Sequence, residues 1–131
     1  MAVQLGTQKA FDSMADLEKE AGSFSVVYET SGAAEALSHI VKLCAPGGRV
    51  VLTGLPDGEF SVSTAQIVRK ELTVQGSMIY KDEFQTAIDL PNKGKIETDL
   101  ILSGTYPLEE LPQAMEDFRS PKRVKTLIQI A

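Results

Sequence analysis

The sequence predicts an α/β protein built on a parallel sheet, on three observations. Short runs with β-branched residues recur at residues 24–28, 49–53 and 72–78, the first two as expected of buried strands, that at 24–28 buried on both faces. Segments with apolar residues at helical spacing separate them. The first two strands and the helix between them take roughly thirty residues, the size of a βαβ unit, and the whole order reads βαβαβ followed by αβαβ.

Taken in chain order, Ser13 caps a short helix through a capping box with Asp16, with Met14 and Leu17 on one face. Ala21-Gly22-Ser23 breaks it before the first strand. Ser31-Gly32 opens the next helix, with Glu35 in its first turn and Ala33, Ala36, Leu37, Ile40 and Cys44 on one stripe. Ala45-Pro46-Gly47-Gly48 has the Pro-Gly centre of a type II turn and leads into the second strand. Asp57-Gly58 turns the chain, and Ser63 or Thr64 starts a short helix through Arg69. Residues 72–78 then form a third strand, expected at a sheet edge. Asp82 with Gln85 repeats the capping-box pattern before a helix lined by Phe84, Ala87 and Ile88, which Pro91-Asn92-Lys93-Gly94 ends. Residues 100–103 read as a strand. Glu109 to Phe118 is the clearest helix, with Leu111, Ala114, Met115 and Phe118 at i, i+3, i+4, i+7. Pro112 is tolerable there because it lies in the first turn. Residues 124–130 close the chain as a strand.

At 131 residues, 43% hydrophobic and 24% charged, the composition is that of an ordinary globular protein able to bury a core. The net charge of −5 argues against nucleic acid or an anionic membrane as a partner. Lys122, Arg123 and Lys125, the one basic cluster, read as a solvated edge. A single cysteine rules out an internal disulfide, and with a single histidine it leaves no structural zinc set. With no signal-peptide pattern and no apolar run near 18 residues, the expected location is the cytoplasm. His39 and Cys44 fall five apart on the predicted helix, offset by about 140°, so they cannot share a ligand. His39 reads as a partly exposed helix residue and Cys44 as a small buried hydrophobe.

Three loops carry the functional signal. In a doubly wound sheet, ligands bind beyond the carboxyl ends of the strands. Those ends are Glu29-Thr30-Ser31-Gly32, Thr53-Gly54-Leu55-Pro56 and Gly76-Ser77-Met78-Ile79. Each pairs a glycine, which admits close approach to the backbone, with hydroxyl-bearing or small residues. One such loop is more simply a turn; three at consecutive strand ends point to a ligand site. No Gly-x-Gly-x-x-Gly follows any strand, so a pyrophosphate would have no cradle here.

Several segments together resemble the medium-chain dehydrogenases, in the zinc-dependent alcohol, polyol and threonine dehydrogenase branch. They are Val26-Val-Tyr-Glu-Thr-Ser-Gly32, Pro46-Gly-Gly-Arg-Val-Val-Leu-Thr-Gly-Leu55, Arg69-Lys-Glu-Leu-Thr-Val-Gln-Gly-Ser77, the Ala87-Ile88 helix with Gly94-Lys95-Ile96, Tyr106-Pro-Leu-Glu-Glu110 with Ala114, and Val124-Lys-Thr-Leu-Ile128. The resemblance implies the C-terminal half of a Rossmann domain over residues 1–99, lacking its first two strands. Residues 100–131 would be a segment returning to the catalytic domain. Met1-Ala-Val-Gln-Leu-Gly6 resembles the end of the helix after the second Rossmann strand, and residues 9–12 the short third strand. It implies NAD(P) as cofactor, with Thr30, Ser31 and Gly32 beside the adenosine. Thr53, Gly54 and Leu55 would flank the nicotinamide ribose, and Ser77, Met78 and Ile79 the carboxamide side. Zinc, catalytic in the family, has none of its ligands in this chain. Similar polyol dehydrogenases often carry Arg where Ile79 stands, and Pro91 departs from the apolar residue expected there.

The resulting expectation is a fragment of an NAD(P)-dependent, zinc-dependent alcohol or polyol dehydrogenase that transfers hydride between alcohol and nicotinamide, inactive alone. One alternative is a non-catalytic association module, a homodimer formed through sheet edges. The other is a methyltransferase-like remnant, since Leu43-Cys-Ala-Pro-Gly-Gly-Arg-Val-Val51 also resembles the post-helix turn of class I methyltransferases.

Overall fold

Residues 2–120 and 123–130 are described by a computed structural model. Two compact units divide the chain, Ala10–Ile79 on one side, and Met1–Lys9 with Tyr80–Ala131 on the other. Met1 and Lys122, which figure in the sequence expectations, lie outside the described residues.

The Ala10–Ile79 unit opens with helix α1, Met14–Leu17. Ser13 caps it as expected, accepting the Asp16 N–H at 3.2 Å and donating to the Asp16 carboxylate at 2.8 Å. Strand β1 is Phe24–Glu29, helix α2 Ala34–Leu43, strand β2 Cys44–Leu52, helix α3 Thr64–Arg69 and strand β3 Thr73–Gly76. The three strands form one parallel sheet in the order β1-β2-β3. Buried Ile40, Val41, Cys44 and Val50 make its core, with Val27, Leu52, Val62, Ile67 and Leu72 packed against them.

Several expectations change here. β1 is not buried on both faces: Val26 and Tyr28 are exposed, because β1 pairs with β2 on one side only and stands at an edge of the sheet. Cys44 leaves the helix and opens β2, so His39 and Cys44 do not share a helix. The thiol is nonetheless fully buried, as a small hydrophobe would be. The Pro46-Gly47 turn is inserted within the β1–β2 ladder: Phe24 faces Cys44 while Val26 faces Arg49. Gly47 supplies the positive φ (72°) that the third position of a type II turn needs. β3 has four residues, all exposed, rather than seven. Residues 9–12 form no strand, since a strand requires a ladder neighbour and this sheet contains only β1, β2 and β3.

Lys70 closes the end of α2. Its ammonium donates to the carbonyls of Val41 (3.1 Å), Lys42 (2.9 Å) and Cys44 (2.8 Å), and the Gly22 N–H reaches those of Lys42 and Leu43. The last carbonyls of a helix have no partner within it, and these two residues supply one.

In the second unit, helix α4 is Phe84–Asn92, strand β4 Leu102–Pro107, helix α5 Leu111–Phe118 and strand β5 Lys125–Gln129. β4 and β5 pair in parallel. Asp82 does not cap α4. Glu83 takes the N-cap position, and its longer side chain folds back to accept the N–H groups of Lys81 and Asp82. Pro91 lies inside the last turn of α4, and the left-handed Gly94 follows it. β4 starts at Leu102 rather than residue 100, because Thr98 accepts the N–H groups of Ile101 and Leu102 and holds that stretch in a turn. Arg123 is no solvated edge: its guanidinium donates to the Ser103 carbonyl and stands 3.8 Å from Asp117. On α5 only Ala114 is buried, while Leu111, Met115 and Phe118 are exposed.

Candidate functional site

The site lies at the carboxyl ends of β1, β2 and β3, within the Ala10–Ile79 unit. A parallel sheet turns all three strand ends to the same edge, and each chain exit passes through a glycine-bearing loop.

The first two loops interlock. Both N–H groups that follow β2, those of Thr53 (2.8 Å) and Gly54 (3.1 Å), donate to the main-chain oxygen of Glu29. The Thr53 hydroxyl donates to the same oxygen at 3.0 Å. Gly32 has φ +68°, and a Cβ there would meet the Leu55 carbonyl oxygen at 2.5 Å; a Cβ on Gly54 would lie 2.8 Å from the Gly32 Cα. Both glycines are therefore demanded by close approach of two backbones.

Glu29 organises the first loop. It is the buried charged residue at this edge, 5% exposed. Its carboxylate accepts the Ser31 N–H (2.8 Å), the Ser31 hydroxyl (2.5 Å) and the Gly32 N–H (3.0 and 3.1 Å to its two oxygens). Burial pushes its pKa up, but the Ser31 hydroxyl and the Ser31 and Gly32 N–H groups outweigh burial and hold the carboxyl below the ordinary range. The Ser31 hydroxyl in turn accepts the Ala33 N–H at 3.1 Å, next to the start of α2. The sequence alone gave Glu29 no role. The readable signal was an acidic residue ending an apolar strand with Ser two and Gly three positions on, the spacing for side-chain-to-backbone bonding in a turn.

The third loop joins through the Ser77 N–H, which donates to the Leu52 carbonyl at 2.9 Å. Met78 and Ile79 are exposed, at 66% and 74%. Ile79 adopts φ +58°, a rare conformation for a β-branched residue. The nine expected residues thus split: Ser31, Gly32, Thr53 and Gly54 form one hydrogen-bonded and close-packed cluster against the Leu55 backbone, with Thr30 and Ser77 at its margin, whereas the side chains of Leu55, Met78 and Ile79 project into solvent. Thr30 and Ser31 also line an open cleft of about 230 Å³ with Met14, Leu17, Val27, Ala36 and Ile40.

The cluster's donors are largely engaged internally. The hydroxyl protons of Ser31 and Thr53 and the N–H groups of Ser31, Gly32, Thr53 and Gly54 all serve the chain itself, leaving no free row of N–H groups for a phosphate. Among the described residues no group of three His, Cys, Asp or Glu side chains is placed to hold a metal ion. No helix among them is long and apolar enough to cross a membrane.

The chain resembles known proteins along most of its length. The family described as zinc-binding dehydrogenase matches residues 1–93. A protein of Agrobacterium fabrum assigned as a D-xylulose reductase is 35% identical over 85 residues, which are 65% of this chain and 24% of that protein. An L-threonine 3-dehydrogenase of Streptomyces avermitilis is 28% identical over 98% of this chain and 39% of its own length. A crystal structure from Sinorhizobium meliloti 1021, described as a zinc-binding dehydrogenase bound to NADP, superposes with a TM-score of 0.87 at 31% identity, covering 98% of this chain and 41% of that one. The chain thus spans well under half the length of these relatives. The methyltransferase-like alternative finds no support among them.

Proposed function

The chain belongs to the zinc-binding dehydrogenase family, and on that footing we propose that it is a portion of an NAD(P)-dependent alcohol or polyol dehydrogenase. In this reading it supplies the strand-end loops that face the non-phosphate parts of the nicotinamide cofactor. The observation that carries the reading is the interlocked pair of glycine loops at the end of a parallel sheet. A nicotinamide cofactor, when bound, accepts or donates the hydride. Thr30, Ser31 and Gly32 would lie beside the adenosine, Thr53, Gly54 and Leu55 beside the nicotinamide ribose, and Ser77, Met78 and Ile79 beside the carboxamide. With its donors engaged internally, the cluster suits ribose hydroxyls and an amide better than a phosphate. The names of the relatives support a sugar alcohol or a hydroxy amino acid as the substrate class. The described residues do not fit zinc, so the metal's chemistry would have to come from elsewhere in the enzyme. We place that enzyme in the cytoplasm, where a lone thiol such as Cys44 stays reduced.

A second part of the proposal is that the chain alone does not turn over an alcohol. Its surface supports this. Leu111, Met115 and Phe118 line an open groove of about 450 Å³ with Val124 and Ile128, and the Thr126 hydroxyl is buried there without a hydrogen-bond partner among the described residues. Such surface suits residues 100–131 as the part that meets further chain.

Titration of the 131-residue chain with NADH and NADPH tests the reading. With the pyrophosphate cradle missing, binding is expected to be weak or absent in this chain alone; micromolar binding supports a surviving cofactor site, and binding only at millimolar cofactor, or none, leaves association alone. Stoichiometric zinc in the purified chain, or hydride transfer by it, overturns the inactivity.

An association module is the second reading, favoured by the four exposed residues of edge strand β3 and the exposed Val26 and Tyr28 of edge strand β1. Unpaired strand edges recruit partners, so a homodimer is expected, and a single monomeric species in sedimentation velocity rules it out.

A further inference from the structure

We propose that Glu29 is the positioning residue of the strand-end site, assembling the first two loops before any ligand arrives. The inference rests on the cofactor reading for what the loops bind, but not for how they are held. Glu29 belongs to both loops at once. Its carboxylate gathers the Ser31 hydroxyl and the N–H groups of Ser31 and Gly32. Its main-chain oxygen gathers the N–H and hydroxyl of Thr53 and the N–H of Gly54. The two roles meet at Gly54, where an added Cβ would come within 2.6 Å of the Glu29 carboxylate. The carboxylate therefore fills the space between the loops as well as bonding one of them. A buried carboxylate is costly to desolvate and persists where several donors satisfy it. Here they are satisfied by the loop it fixes, which leaves the loop a single conformation.

Oε1 takes the Ser31 N–H, the Ser31 hydroxyl and the Gly32 N–H, while Oε2 faces the Gly32 N–H as well, so the role needs a charged acceptor on both sides, and that separates it from mere packing. Glu29→Gln keeps the volume but removes the charge and replaces Oε2 by an NH₂ that faces the Gly32 N–H. Glu29→Asp loses a methylene but keeps both acceptors, and an Asp readily accepts the N–H two residues on. NADH titration is expected to show about tenfold weaker binding for Glu29→Gln and a loss within about threefold for Glu29→Asp. Amide exchange by NMR is expected to quicken at Ser31, Gly32 and Gly54 in Glu29→Gln, and much less in Glu29→Asp. The reverse order, with Gln better tolerated than Asp, or unchanged exchange in both, overturns the proposal. If the wild-type chain binds no NADH, the cofactor reading fails, and the amide exchange alone decides the role of Glu29. If Glu29→Gln does not fold, Ser31→Ala, at an exposed position, takes its place. Quicker exchange at Gly32 then supports the role, and exchange equal to wild type overturns it.

Discussion

Gly32 and Gly54 touch backbone to backbone: a methyl group on Gly54 would stand 2.8 Å from the Cα of Gly32. The Gly32 backbone cannot swing away as a side chain could, so the contact admits only glycine. Gly54→Ala is expected to lower unfolding stability by about 2–3 kcal/mol in urea titration. Gly58→Ala is the contrast, since a Cβ there meets nothing within 4 Å. Its cost is only the positive φ of 102°, about 1 kcal/mol.

Lys70→Met removes three charge-assisted bonds to the carbonyls that end α2 and begin β2. The methionine keeps most of the stem's packing but leaves those carbonyls without the ammonium. A loss of roughly 2–3 kcal/mol is expected, read as a lower urea midpoint with an unchanged slope.

Acid should loosen the strand-end loops. The Glu29 carboxyl titrates below its ordinary value when folded, so its contribution is fully present above about pH 4.5. That contribution is lost as pH falls through the lower folded value. Stability measured from pH 6 down to pH 3 should fall, and Glu29→Gln should flatten part of that slope. A variant with the wild-type slope would assign the acid sensitivity to other carboxylates, such as Asp117 beside Tyr106.

Ile79→Gly should stabilise the chain. Ile79 is 74% exposed at φ +58°, so little packing is lost while left-handed strain of about 1–2 kcal/mol is relieved. Glycine's greater unfolded-state freedom offsets part of that, and a midpoint rise of about 0.5–1 kcal/mol is expected in thermal or urea unfolding.

Cys44 should report opening of the core. It is fully buried, and burial pushes its thiol pKa up despite the nearby Lys70 ammonium and the Ala45 N–H. Reaction with a thiol reagent at pH 8 should be slow in the folded chain and should accelerate with urea in step with unfolding. Rapid labelling without denaturant would mean local opening at the start of β2.

What could be read in the sequence was mostly what local chemistry decides. Ser13 and Ser63 cap their helices because a short hydroxyl side chain reaches the N–H groups of its own turn. The apolar spacing of Ala36, Leu37 and Ile40 placed α2, and the strand-end glycines were visible as such. The misplacements came from longer-range partners. Cys44 leaves its helical stripe because its backbone pairs with Phe24, and residues 9–12 lack a neighbour to make them a strand. Arg123 looks solvated in sequence but meets Ser103, twenty residues away. At the site, the glycines were legible and Glu29 was not, because the direction in which a strand-end carboxylate turns depends on the loop that folds over it.

The Lys70 latch also bears on the order in which the chain is made. Helix α2 ends at Leu43; Gly22 reaches the carbonyls of Lys42 and Leu43, but that of Val41 and the second bond to Lys42 wait for an ammonium that belongs to residue 70. At ordinary translation speeds that lysine emerges roughly 1 to 5 seconds later. A helix frays and re-forms in about a microsecond, so its final turn opens and closes many times on the ribosome before Lys70 arrives. The end of α2 is thus completed only once residue 70 has emerged, together with the start of β2 and the end of α3.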